Sequence, residues 1–402
     1  MHICIIGMGP AAMSAVQAIR QENSTVRISM FSAEDCPPYS PPCLGHYLCT
    51  GDSEPLFWHG RDPGQKYDVD CYRGDSVVRV DPGRKQLWVQ SGQAFEFDAL
   101  IIASGSSLYA PVPGADKPGV MQFKNLAGAQ ALRDMALENT QARAVVVGGG
   151  FIGVEIALYL AKLGVKPTLL NRRGWIMPRL LDPETAAYVQ EDMTRQGIDV
   201  RLNIEGIEFG GHDRVESLLT HSGERLRADA YIVATGVRPN IGFLQDTDME
   251  MENGVLVDEW LQTSASNVFA CGDAAQAREL LSGERQVLGL YPVAVEQGRV
   301  AGQNALGRKR AYEPQTSMNS LKGLSFQLIT AGRQQGEEVA FKGRDWLQKF
   351  FVHQDRLQGF VLLGQVEQAG VYMNLLQTQR PLGGDTQASG RIVPHALSGA
   401  WY

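Results

Sequence analysis

Residues 1–21, MHICIIGMGPAAMSAVQAIRQ, and residues 142–174, ARAVVVGGGFIGVEIALYLAKLGVKPTLLNRRG, are built to one plan. Each opens with a short apolar run, His2 to Ile6 or Ala144 to Val147, of the kind buried in a parallel sheet. Each then breaks at glycines: Gly7 and Gly9 with Ala12 in the third place, and Gly148, Gly150 and Gly153. Each resumes as a helix, patterned on Met13, Val16 and Ile19 in the first and running through Glu155 and Leu160 in the second. Such a turn permits close backbone approach, and the helix that follows aims unpaired N–H groups at an anion such as a pyrophosphate. Pro10 and Ala11, and Phe151 and Ile152, complete the two turns and are candidate binding residues with the glycines. A further strand, Pro167 to Leu170, comes at the spacing a βαβ unit requires. Two such units imply two dinucleotides in one chain.

Three more stretches extend the pattern. FDALIIASGS (Phe97 to Ser106) and AYIVATGVRPN (Ala230 to Asn240) are each an apolar strand ending in a small-residue turn, and they read as an internal repeat. Their turns place Ala103, Ser104 and Gly105, and Gly236, among the candidate cofactor-binding residues. SNVFACGDAAQ (Ser266 to Gln276) puts Asp273 at the end of a strand, where a carboxylate can accept from a sugar hydroxyl.

At 402 residues the chain exceeds one hydrophobic core, and at about 150 residues per domain two or three domains are expected. A net charge of −7 argues against nucleic acid or an anionic membrane as the main partner. No apolar run approaches the ~18 residues of a membrane span. The amino terminus runs directly into a strand without a basic flank and cleavage site, so the expectation is a cytoplasmic protein. Six cysteines (Cys4, Cys36, Cys43, Cys49, Cys71, Cys271) form no CxxC pair, and no HExxH or paired-carboxylate signature is present, so no metal site is expected. Cys4, in an apolar strand, reads as core.

With these pieces in order, the chain resembles the pyridine nucleotide-disulfide oxidoreductases. The likeness runs over nearly all of its length. The last ninety or so residues, YEPQTSMNSLKGLSFQLITAGR followed by GFVLLGQVEQAGVYMNLLQ, resemble the C-terminal domain of NADH:rubredoxin reductases and of nitrite reductase large subunits. The fold implied is α/β: two Rossmann-like dinucleotide-binding domains, for FAD and NAD(P), plus a C-terminal α+β domain. The implied boundaries are 1–110 and 238–311 for the FAD domain, 111–237 for the NAD(P) domain, 312–382 for the C-terminal domain, and 383–402 for a tail, read as a linker and partner anchor. The resemblance assigns Gly7, Gly9 and Ala12 to the FAD pyrophosphate and Asp273 to its ribityl chain. Glu34 falls to the adenosine ribose, Ser32 holding the usual place of that acid. Gly148, Gly150 and Gly153 fall to the nicotinamide cofactor, and Glu155 lies near the nicotinamide and flavin rings.

The nicotinamide cofactor is read from TLLNRRG. Where an acid would bond the ribose and repel a 2′-phosphate stands Asn171, followed by Arg172 and Arg173. Guanidinium groups match phosphate, which favours NADPH or dual use over strict NADH. The thiols are read from PPYSPPCLGHYLCTG. Cys43 and Cys49 are six positions apart, on nearly opposite sides of a helix, which a disulfide does not bridge. Cys43 lies one residue beyond the place of the redox cysteine in coenzyme A-disulfide reductases and NADH oxidases; on a helix that rotates a side chain by ~100°.

The function implied is an FAD-dependent NAD(P)H oxidoreductase that passes hydride from nicotinamide to flavin and electrons onward. The partner implied is a rubredoxin, a ferredoxin-like iron or iron–sulfur carrier, or a metalloenzyme subunit. Whether the chain works as a homo-oligomer or within a complex stays open. One alternative is a thiol-dependent NAD(P)H oxidase, peroxidase or coenzyme A-disulfide-type reductase, with Cys43 catalytic beside Glu155. The other is a non-catalytic FAD-binding assembly subunit.

Overall fold

The computed structural model describes residues 1–382 and divides into two compact units. The first contains Met1–Ser107 and Val237–Gln315; the second contains Leu108–Gly236 and, of the described residues, 316–382.

The chain starts in the first unit with strand β1 (His2–Ile6), helix α1 (Pro10–Glu22) and strand β2 (Arg27–Ser32). Helix α2 (Leu44–Thr50) precedes β3 (Asp70–Arg73), an antiparallel meander over 77–96, and β4 (Ala99–Ile102). It then enters the second unit. There β5 (Val120–Gln122) and α3 (Leu126–Glu138) lead into β6 (Arg143–Val147), α4 (Phe151–Lys162) and β7 (Lys166–Asn171). Helix α5 (Pro183–Arg195), β8 (Asp199–Leu202), a second meander over 206–226 and β9 (Ala230–Val233) follow. Back in the first unit come β10 (Val268–Ala270) and α6 (Tyr291–Ala305).

The two central sheets are parallel throughout and are ordered alike: β10-β4-β1-β2-β3 and β8-β7-β6-β9-β5. β4 lies beside β1, and β9 beside β6, so the two stretches read as a repeat occupy matching places. Burial on both faces explains their composition: Ile3, Cys4, Ile5, Leu100, Ile101 and Ile102 are fully buried, as are Val146 and Ile232. Helices α1 and α6 meet backbone to backbone, and a Cβ added at Gly298 would lie 2.0 Å from the Ala11 carbonyl oxygen. Alanine at 298 has no room.

The chain ends its described course in the second unit. A five-stranded antiparallel sheet of β11 (Met318–Leu321), β12 (Leu328–Gly332), β13 (Glu337–Lys342), β14 (Leu347–His353) and β15 (Arg356–Leu363) packs under α7 (Ala369–Thr378). Tyr372 of α7 closes this core, its ring edge-on to Phe350 at 4.8 Å. Lys349, 3% exposed, ties the sheet to α5: its ammonium reaches Asp182 and Glu184 at 2.8 Å and Glu338 at 3.5 Å. Asp182 also caps α5, accepting from the N–H groups of Glu184 and Thr185. The tail 383–402 lies outside the described residues. Among the described residues no helix is long and apolar enough to cross a membrane.

Candidate functional site

In the first unit, β1 ends at Gly7, whose φ of +113° suits glycine alone. A Cβ there would sit 2.1 Å from the Ala103 carbonyl oxygen, at the end of β4. Gly9 behaves differently. It is the N-cap of α1 in extended conformation, makes no side-chain cap, and an added Cβ would meet nothing within 4 Å. Pro10 starts the helix, where its missing N–H costs nothing. Ala12 is fully buried and Ala11 nearly so, which packs the turn onto the sheet and leaves the helix N-terminus open.

The second unit repeats this geometry. Gly148 has φ +115°, and its added Cβ would lie 2.4 Å from the Ala234 carbonyl oxygen, at the end of β9. Gly150 caps α4 in extended conformation with open space on its Cβ side, and Phe151 and Ile152 are partly exposed beside it. Gly153 is compelled by a different contact: a Cβ would stand 1.8 Å from the Gly148 carbonyl oxygen. In each turn one glycine is imposed by a neighbouring strand, and the cap glycine leaves room for a ligand oxygen over unpaired amides. Both turns fit a dinucleotide pyrophosphate.

The remaining candidates of the first unit gather by long-range bonds. Asp273 lies in the short turn Gly272–Ala274 after β10 and accepts from Ser106 Oγ at 2.5 Å. Gly272, with φ +67°, donates its N–H to Gln297 Oε1 of α6 at 2.8 Å. Ser104 and Asn240 exchange bonds: Ser104 Oγ donates to the Asn240 carbonyl at 2.7 Å, and Asn240 Nδ2 returns one to the Ser104 carbonyl at 3.0 Å. Gly105 takes φ +69° and accepts from the Asn240 N–H. Glu34, just past β2, accepts from the Tyr39 hydroxyl at 3.0 Å, which orients its carboxylate.

The stretch 37–51 forms a short 3₁₀ turn, Pro41–Cys43, running into α2. All six cysteines are free. Cys43 is partly buried near Tyr291, whose phenol interacts with Ser40 and Trp58 and is raised above its ordinary range by burial. Burial pushes the Cys4 and Cys271 thiols up to about 12, and Cys36, beside Glu34, to about 11, so none of these three is a poised nucleophile.

In the second unit Asn171 is buried and spends both amide hydrogens on its own loop, donating to the carbonyls of Arg173 at 3.2 Å and Trp175 at 2.6 Å. Arg172 and Arg173 are exposed, and Arg172 lies 4.0 Å from Glu205. Gly236 follows β9 with φ +137°. Glu155 is partly buried on α4, accepts from the Tyr159 hydroxyl at 3.4 Å, and is pushed up to about 7 by burial, against the pull of Lys322. A carboxyl so placed changes charge near neutrality.

Sequence reading gave no role to Tyr291, Gln297 or Lys322, and it took Ser106 and Asn240 only as the ends of the repeated stretches. Each meets its partner through the fold. Among the described residues no group of three or more His, Cys, Asp or Glu side chains converges on one point.

Residues 1–298 match the pyridine nucleotide-disulphide oxidoreductase family. The chain is similar to the ferredoxin–NAD(+) reductase subunit of the benzene 1,2-dioxygenase system of Pseudomonas putida, 30% identical over 83% of this chain and 81% of that protein. It is 26% identical to the assimilatory nitrate reductase electron transfer subunit of Bacillus subtilis (strain 168), over 99% of this chain and 52% of the relative, so it spans about half of that protein's length. The solved structure of NADH:rubredoxin oxidoreductase from Clostridium acetobutylicum matches with a TM-score of 0.80 at 24% identity, covering 97% of this chain and 98% of the other. At that identity the likeness speaks for the fold.

Proposed function

The chain belongs to the pyridine nucleotide-disulphide oxidoreductase family, an FAD- and NAD(P)H-dependent family of oxidoreductases, and from that membership we propose that it is an FAD-dependent NAD(P)H reductase serving a protein electron acceptor. The observation that carries the reading is the pair of turns, each with one glycine blocked by a neighbouring strand and a cap glycine open at a helix N-terminus. Residues 1–110 and 238–311 are assigned to FAD, 111–237 to the nicotinamide cofactor and 312–382 to a third domain.

Bound in these turns, the two dinucleotides supply hydride transfer and electron delivery, and the chain supplies placement. Gly7, Gly9, Pro10, Ala11 and Ala12 hold one pyrophosphate at the start of α1. Glu34, oriented by Tyr39, takes the adenosine ribose, and Asp273, oriented by Ser106, takes a ribityl hydroxyl. Ala103, Ser104 and Gly105 form the wall that Asn240 stiffens. Gly148, Gly150, Phe151, Ile152 and Gly153 hold the second pyrophosphate, with Gly236 beside them. Because both Asn171 amide hydrogens are consumed by its loop, contact with a 2′-phosphate falls to Arg172 and Arg173, which suits NADPH, while the Asn171 carbonyl oxygen is left to accept from a ribose hydroxyl, which admits NADH. Glu155 stores or releases a proton at the nicotinamide end.

One relative is a ferredoxin–NAD(+) reductase and another an electron transfer subunit of a nitrate reductase. By analogy the acceptor here is an iron–sulfur carrier or a metalloenzyme subunit, met in the cytoplasm. A second reading, thiol chemistry at Cys43, draws on the position of Cys43 near Tyr291.

The test is an anaerobic titration of the FAD-loaded protein with NADPH and, separately, NADH, followed by flavin absorbance. Full reduction by about two electrons per flavin, unchanged in Cys43→Ser, is the expected result. Uptake of further electrons that Cys43→Ser abolishes would establish the thiol enzyme instead. No reduction by either nucleotide would leave an FAD-binding subunit without this activity.

A further inference from the structure

Two groups act on the Glu155 carboxyl among the described residues. Tyr159, one turn along α4, donates its hydroxyl at 3.4 Å. Lys322, distant in sequence, precedes the glycine that packs against α4 one turn from Glu155, and its positive charge draws the carboxyl toward the ionised form. Lys322 is exposed and opens the loop between β11 and β12.

That loop is clamped at several points to the helices of the second unit. Gly323, at φ +97°, lies so close to α4 that an added Cβ would be 3.0 Å from the Leu158 Cβ. Its carbonyl accepts from Gln196 Nε2, just past α5, at 3.1 Å. The Ser325 N–H donates to Asp192 Oδ2 of α5 at 3.0 Å, and the Ser325 hydroxyl donates to the other oxygen of the same carboxylate. Leu158 follows Glu155 by three residues, about 4.5 Å along the helix. The place of Lys322 relative to Glu155 is therefore set by the contacts of Gly323 and Ser325 that follow it.

We propose that Lys322 is a positioning residue for Glu155, through which the C-terminal segment sets the charge of the carboxyl at the nicotinamide end. The inference rests on the reading that Glu155 serves the nicotinamide. An oxidised nicotinamide ring is cationic and a reduced one is neutral, so an ionised Glu155 favours the oxidised form and a protonated one does not. Lys322 opposes the desolvation that keeps the proton on. Removing its ammonium lowers the ionised fraction at neutral pH and with it the preference for the oxidised nucleotide.

The experiment uses the FAD-loaded full chain and the variants Lys322→Met, Lys322→Arg and Glu155→Gln, the last also combined with each Lys322 change. The first readout is the urea midpoint of each form minus that of its Glu155→Gln counterpart, from about pH 5 to pH 9, which reports the titration of Glu155 whatever its role. The second is the dissociation constant of NADP+ over the same range. In Lys322→Met both profiles move to higher pH by roughly 0.5–1 unit, less than a neighbouring charge commonly exerts because this ammonium is exposed to solvent. Lys322→Arg restores the original position. A Glu155 titration that stays in place in Lys322→Met overturns the proposal. If the titration moves but Glu155→Gln leaves NADP+ affinity unchanged at every pH, the link between Lys322 and Glu155 stands and the service of Glu155 to the nicotinamide falls.

Discussion

Gly150→Ala separates what the fold needs from what the ligand needs. Gly150 sits at φ −78°, ψ −176°, extended backbone open to any residue, and an added Cβ meets no atom within 4 Å. The alanine loses roughly 0.5–1 kcal/mol as a poorer N-cap than glycine. It regains roughly 0.4–1 kcal/mol by restricting the unfolded chain. The two nearly cancel, so the urea midpoint stays within about 0.5 kcal/mol of wild type. The methyl group would occupy the open space at the start of α4 that the proposed reading gives to the pyrophosphate. Displacing an anion by about 1 Å from those amides breaks at least one charge-assisted hydrogen bond, worth about 1.5–3 kcal/mol. NADP+ affinity then falls roughly 10- to 150-fold, while FAD content and stability hold. Gly153→Ala is the contrasting control. Its Cβ would overlap the Gly148 carbonyl oxygen at 1.8 Å, so it destabilises the unit itself. Equilibrium titration with NADP+ and urea unfolding on the same preparations decide the matter. Wild-type affinity in a folded Gly150→Ala would refute the assignment of the pyrophosphate to this turn.

Replacing Arg172 and Arg173 together by alanine raises the KM for NADPH about 10-fold or more and spares NADH, since only the phosphate loses its partners; steady-state kinetics with both nucleotides checks it. Glu155 is held at about 7 against an ordinary 4.5, so its contribution to stability is complete below about pH 4.5 and is lost as pH rises through about 7. A shift of that size corresponds to roughly 3 kcal/mol, and Glu155→Gln should therefore gain on wild type by up to about that much between about pH 4.5 and pH 8.5 in urea melts. Lys349→Met strands Asp182 and Glu184 at the start of α5; because both carboxylates keep some solvent, the cost is about 2 kcal/mol, below that of a fully buried pair. Urea unfolding of that variant reads the loss directly.

Much of the architecture was legible along the chain because it depends on short-range constraint. Glycines between an apolar run and a helix determine a strand–turn–helix wherever they fall, and both turns formed at the predicted residues. The likeness of 97–106 to 230–240 likewise foretold two strands in matching places, since a buried parallel strand needs an unbroken apolar run. The spacing of Cys43 and Cys49 argued against a disulfide, and the thiols stand unbridged.

The chemistry of the side chains was decided elsewhere. Asn171 could be named as the residue in the ribose position, but only the folded loop shows its amide spent on Arg173 and Trp175. Glu34 could be named, but Tyr39 orients it. Glu155 could be named, but its charge state depends on burial and on Lys322, more than 160 positions away. The physical reason is one of range. Backbone conformation follows from neighbours a few residues apart, so the sequence by itself determined the turns and strands of this protein. Desolvation, hydrogen-bond partners and charge are set by whatever the fold brings within a few ångströms, and those only the tertiary structure decided.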